Sequence, residues 1–191
     1  MLWPPDQARS NVGELIELER IRRRKAADQA FARWMRRVGH QPGPETRLTE
    51  LPDRVLADLA DLGSEATLAL YDLVLGVRGW GAGERFHYLE AKPKVEALDS
   101  FLFVADQVRF ELMRRLDWVA GVACEHYPLV DLALHFDRIQ KDFEPDTPKL
   151  TTAYPRYVEV SDRLRIEPAA VVRSLIPQAL KAFHQRLTQG M

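Results

Sequence analysis

Four residues in this chain have types and spacings that suit metal or acid–base chemistry. Glu84 and His87 stand three apart, and Asp131 and His135 stand four apart. Residues so spaced share a helix face, where a carboxylate and an imidazole can hold one cation or pass one proton. Glu90, Glu125 and His126 are further donors close by in sequence. A Glu-x-x-His element is what carboxylate-bridged di-iron bundles use, but they carry it twice, with glutamates on facing helices. In this chain it occurs once, beside a glycine-rich stretch, and an Asp and a His one turn apart more often share a surface hydrogen bond. A metal- or small-ligand-binding bundle is therefore a second alternative, behind two other readings.

Asp99, Asp106 and Asp117 form another group, lying near one side of an expected helix beside Phe103 and Phe110. Acids next to aromatic rings suit a pocket for a cationic ligand, and equally mark the solvent edge of a buried face. Cys124 is the one cysteine, so no internal disulfide forms, and a buried inert thiol is expected. No nucleophile elbow, phosphate loop, dinucleotide fingerprint or zinc-finger spacing occurs, and no cofactor is implied. The alternation Gly79-x-Gly81-x-Gly83 lacks phosphate-cradling spacing. With Trp80 inside it, a connector that touches a partner is expected.

The elements that must position these groups are helical. Residues 6–38 read as one long helix ended by Gly39, with Ala27, Ala30, Phe31, Trp34, Met35 and Val38 as its clearest apolar stripe. Helices over 50–62 and 65–77 follow, the first capped by Thr49 and stopped by Gly63. The second has so little polar surface that it belongs at the core centre. The strongest helical period runs over 93–119 through Val95, Leu98, Leu102, Ala105, Val108 and Leu112. Leu129, Leu132, Phe136, Ile139 and Phe143 predict one further helix, spaced as for an antiparallel bundle partner. Pro145, Pro148 and Pro155 make 144–156 a connector. Residues 157–166 suit a short helix or a hairpin, with the balance toward helix. A last helix opens at Glu167-Pro168 and is kinked or split by Pro177. The expected fold is all-α: a long basic N-terminal helix in 1–38, a multi-helix bundle in 50–143 and a C-terminal helical extension in 149–191.

The chain has 191 residues, a formal charge of −1 and 46% apolar residues, the composition of a soluble globular protein. It shows no export signal and no apolar run long enough to span a bilayer, so a cytoplasmic protein without membrane contact is expected. The −1 is a cancellation. Residues 1–38 carry nine basic and five acidic side chains, 39–148 carry eleven and twenty, and 149–191 carry seven and three. Two basic ends thus flank an acidic middle. Either the ends dock on the middle, within a protomer or across a dimer, or they meet an acidic protein or nucleic-acid phosphates.

Arg20, Arg22, Arg23, Arg24 and Lys25 crowd the middle of the long helix and point around its axis. A solvated face is one reading, and a phosphate contact is the other. Residues 157–175 also resemble a helix-turn-helix. Ser161 supplies the small residue, Val160, Leu164 and Ile166 flank the turn, and Val171 and Leu175 are buried positions of a second helix. Arg165 would occupy the left-handed turn position usually held by Gly. Pro168, Ala169, Val172, Arg173 and Ile176 would face outward, with Arg173 alone able to hydrogen-bond a base edge. The first expectation is a non-enzymatic interaction or scaffold module that forms a homodimer through the Ala27–Val38 stripe. The alternative is a DNA-binding regulator that uses the basic helix and 157–175.

Overall fold

The computed structural model describes residues 5–143 and 148–189, and of these the side chains of 21–22, 24–143 and 148–189. The architecture is an all-α multi-helix bundle with one minimal two-stranded ribbon. In chain order the helices are α1 (Pro5–Val38), α2 (Asp53–Asp61), α3 (Ser64–Gly76), α4 (Ala91–Arg115), α5 (Leu129–Leu134), α6 (Phe136–Asp142), α7 (Tyr157–Ile166), α8 (Pro168–Ser174) and α9 (Ile176–Gln189). No helix among the described residues is long and apolar enough to cross a membrane.

α3 is the core element. Leu70, Leu73, Val74 and Leu75 are fully buried, with α1 and α4 packed on it. The apolar stripe of α1 lies on α3 of its own chain. Ala27, Ala30, Phe31 and Trp34 are completely buried there, whereas Met35 is 52% exposed and Val38 half-buried. This corrects the expected dimer surface: four of its six residues already have their partners within the protomer. Small residues permit the contact, since a Cβ on Gly76 would meet the Ala30 Cβ at 2.9 Å. Phe31 and Trp34 stack edge to face with centroids 5.7 Å apart, and the Trp34 Nε1–H donates to the Ala69 carbonyl.

Several boundaries differ from expectation. α2 starts at Asp53 and not at 50, because Pro52 biases the residue before it, Leu51, to extended backbone (ψ 143°). Thr49 therefore sits in a separate 3-10 turn, Leu48–Glu50, and caps nothing. The left-handed residue ending α2 is Leu62 (φ 53°) and not Gly63. Leu62 packs against the core, which offsets the local strain. The single helix expected over 129–143 is two helices broken at His135 (φ −117°, ψ 26°). Ser100 of α4 donates its hydroxyl to the Ala133 carbonyl at 2.6 Å, a tertiary bond to an acceptor just before the break. The last helix is split at Leu175, two residues before Pro177, which sits in the first turn of α9.

The ribbon was not foreseen. Strands β1 (Val119–Ala120) and β2 (Lys149–Leu150) pair antiparallel, Val119 opposite Leu150, and fasten the C-terminal segment to the end of α4. Tyr154 packs edge-on against Trp118 at 4.9 Å, beside the Thr151 N–H bond to the Trp118 carbonyl.

The segment 157–175 is helical, but it does not present a reading helix. α7 has no buried residue, and Ile166, expected beside a packed turn, is 85% exposed. Arg165 is not left-handed: Leu62 and Asp117 are the non-glycine residues with positive φ among the described residues. α8 has seven residues, and its expected outward position Val172 is fully buried. Of the expected outward positions, Val172 alone is buried, while Pro168 and Arg173 are exposed.

Candidate functional site

Among the described residues, two of the four buried polar side chains, Asp72 and Glu111, centre closed structural clasps. Asp72, fully buried in α3, accepts from Arg33 Nε (2.8 Å) and the Gly83 N–H (2.8 Å) at one oxygen and from Arg37 Nε (2.7 Å) at the other. Arg37 also reaches Glu65 (3.0 Å) and Glu84. Burial opposes the Arg37 charge, but the bonds to Asp72, Glu84 and Glu65 outweigh it and raise its pKa. Glu84 is held below the usual carboxylate range by a bond to its own backbone and by Arg37. Arg33 and Arg37, two of the nine basic residues of the N-terminal segment, thus dock on the acidic middle. The C-terminal segment does likewise through Arg173–Asp106 (3.0 Å), His184–Asp61 (2.9 Å) and Arg186–Asp53 (3.9 Å).

These clasps displace the expected metal group. Glu84 belongs to Arg37, His87 is exposed with its ring edge-on to Phe86, and Asp131 and His135 lie on α5 and at the α5–α6 break. Among the described residues, no three His, Cys, Asp or Glu side chains converge to hold a metal ion.

A second clasp is centred on Glu111, fully buried in α4. It accepts from Arg114 at 2.7 and 2.9 Å and from Arg115 at 2.8 Å. Cys124 Sγ lies 3.7 Å from it, and burial, then the Glu111 charge, push the thiol pKa well up. A thiol-reactive dye is expected to leave native Cys124 unlabelled at pH 8 and to label it fully in denaturant. Rapid native labelling would contradict its burial. The sign for stability follows from a raised folded pKa. The contribution is intact below the ordinary thiol range and declines as pH rises above it, because the unfolded chain ionises first.

Two features remain open. The first is a cleft of about 290 Å³ between α4, α6 and α8. Its walls include Asp99, Phe103, Asp106 and Phe110, four of the five residues that their spacing on α4 had grouped. Asp117 is absent: it lies past the end of α4 at φ 61°, its carbonyl accepting from Thr151. The cleft also takes in Leu102, which it shares with an exposed apolar stripe of α4, and Gln107, Phe136, Gln140 and Arg173, which no spacing in the sequence connects to it. One signal was present. Ser100, Gln107 and Glu111 repeat at seven and four residues, a polar line on a helix whose neighbours are apolar, and all three are buried.

The second is on the next face of α4. Val95, Leu98 and Leu102, expected to continue the buried stripe, are 59%, 40% and 53% exposed. The buried face of this half of the helix runs instead through Ala97, Phe101 and Val104.

No family model, curated protein or solved structure matches the chain.

The remaining expected contacts are placed as follows. Arg22, Arg24 and Lys25 are exposed on α1, and Ile21 beside them is 55% exposed. The side chains of Arg20 and Arg23 lie outside the described residues. Arg165 is exposed near Asp162, at 4.0 Å, while Arg173 is engaged by Asp106. Trp80 is half-buried under the Arg78 guanidinium, 5.5 Å from its ring centre, and borders a hollow with Arg22, Ala26 and Leu134.

Proposed function

We propose that the chain is a non-enzymatic interaction module that self-associates, with the basic stretch of α1 in one copy laid on the Val95–Leu98–Leu102 stripe of α4 in another. The observation that carries this is the stripe itself. Three large aliphatic side chains at helical spacing on α4 face water. Charge favours a second copy as the occupant. The stripe lies in the segment that carries twenty acidic against eleven basic side chains, with Asp99 beside it and exposed. Arg22, Arg24 and Lys25 are exposed around Ile21 on the segment of opposite sign. An apolar residue ringed by cations complements an apolar stripe edged by acids, and such pairing directs association more than it strengthens it. Compared with the expected homodimer, the surface moves from the buried half of α1 to α4.

Sedimentation across protein concentration and salt tests this. The expected result is a reversible dimer that weakens as salt screens the charges. Leu98→Lys should weaken it at least tenfold, about 1.4 kcal/mol or more, while Val158→Lys, on the exposed side of α7, leaves it unchanged. A chain that is monomeric throughout, or a dimer indifferent to Leu98→Lys, would refute the proposal.

A further inference from the structure

We propose that the cleft between α4, α6 and α8 binds a small organic zwitterion: an ammonium group, an apolar or aromatic middle and a carboxylate. The inference does not rest on self-association. It starts from Gln107, which is 3% exposed and lines the cleft. Its Oε1 accepts from the Cys124 N–H at 3.3 Å, but its Nε2 has no protein acceptor among the described residues. A buried amide donor left open at a cleft wall calls for an acceptor from outside the chain.

Arg173 adds donors of the same kind. Its Nε is committed to Asp106 Oδ2 at 3.0 Å, and its two terminal nitrogens make no hydrogen bond among the described residues. A guanidinium and an amide at one end of a cleft suit a carboxylate, which takes two or more N–H donors. At the other end stands Asp99, exposed, lining the cleft and without an ion-pair partner among the described residues. A carboxylate there suits an ammonium group. Asp99 and Asp106 are two helical turns apart, about 10 Å along α4, so the two charged ends are separated and not superposed. Phe103 occupies the turn between them. Its ring faces that of Phe136 across 6.3 Å at 45°, giving the middle of the cleft apolar walls. The volume, about 290 Å³, is at the small end for a small-molecule site.

The probe is 4-(aminomethyl)benzoic acid, titrated into the full chain and followed by calorimetry or amide chemical shifts. Saturable binding is expected, at least tenfold tighter than for benzylamine or 4-methylbenzoate, each of which lacks one charge. Arg173→Gln should reduce the zwitterion to the affinity of benzylamine, and Asp99→Asn to that of 4-methylbenzoate. Both positions are exposed, so melting curves of the variants should match the wild type. Three probes that bind alike, a zwitterion that does not saturate at millimolar concentration, or binding indifferent to both substitutions would each overturn the proposal. Repeating the titration on Leu98→Lys separates the readings, since the cleft must bind in that variant whether or not the chain self-associates.

Discussion

Asp72→Ala is expected to lower unfolding stability by about 3–5 kcal/mol, because it strands charges gathered around a buried partner. Both oxygens of Asp72 are used: one by Arg33 and the Gly83 N–H, the other by Arg37. The carboxylate is fully buried, while Arg33 and Arg37 are mostly buried. Removing it leaves Arg33 Nε, Arg37 Nε and the Gly83 N–H without their acceptor, although Arg37 keeps Glu65 and Glu84. No small relaxation relieves this, since Gly83 is pressed onto α3: a Cβ there would meet the Leu68 carbonyl oxygen at 2.7 Å. Domains commonly have about 5–15 kcal/mol of stability in total, so the variant should be marginal or unfolded at ambient temperature. Urea unfolding followed by circular dichroism measures it. A loss below about 1 kcal/mol would mean that the clasp is an exposed-type ion pair, contrary to its burial. Asp72→Asn discriminates further. Its Oδ1 can still receive the Gly83 N–H, but its NH2 meets arginine donors, so it should recover only part of the loss.

Trp34→Ala should cost a comparable amount, about 3–5 kcal/mol, through the cavity it opens between α1 and α3. The indole is fully buried, edge-on to Phe31, and its N–H reaches the Ala69 carbonyl in the middle of α3. Met35, the next residue, is 52% exposed, and Met35→Ala should stay within about 0.5 kcal/mol of wild type. The contrast separates two roles for the stripe. A surface used between copies would make Trp34→Ala dissociate the dimer and leave the protomer's unfolding intact. A stripe used within the protomer makes it lower the unfolding midpoint even at concentrations where only monomer is present. Denaturant unfolding at two widely separated protein concentrations reads out which holds, and the concentration-independent loss is the expected result.

The candidate cleft was half legible. Asp99, Phe103, Asp106 and Phe110 share a side of α4 by spacing alone, and the structure places all four on its walls. The other walls come from α6 and α8, more than 25 residues further along the chain, and no local pattern says that Phe136 and Arg173 return to this helix. The Glu84, His87, Asp131 and His135 group failed for a related reason. Spacing can put two side chains on one face, but whether two faces meet depends on a break such as that at His135 and on competitors such as Arg37 for Glu84. The exposed half of the α4 stripe shows the limit of periodicity itself. Val95, Leu98 and Leu102 continue the heptad-like pattern without a neighbour to cover them.

What the sequence determined by itself was the element inventory: nearly every helix, the helical choice for 157–166 and the interruption near Pro177. Those follow from hydrophobic period, glycine and proline, which act within a few residues. The tertiary structure alone decided the minimal β1–β2 ribbon, the break at His135, the burial of Trp34 within its own protomer and the pairing of Arg33 and Arg37 with Asp72, Arg173 with Asp106 and Arg186 with Asp53. Each depends on groups tens of residues apart meeting in space, and their pairing energy is set by burial and distance, which no local sequence window contains.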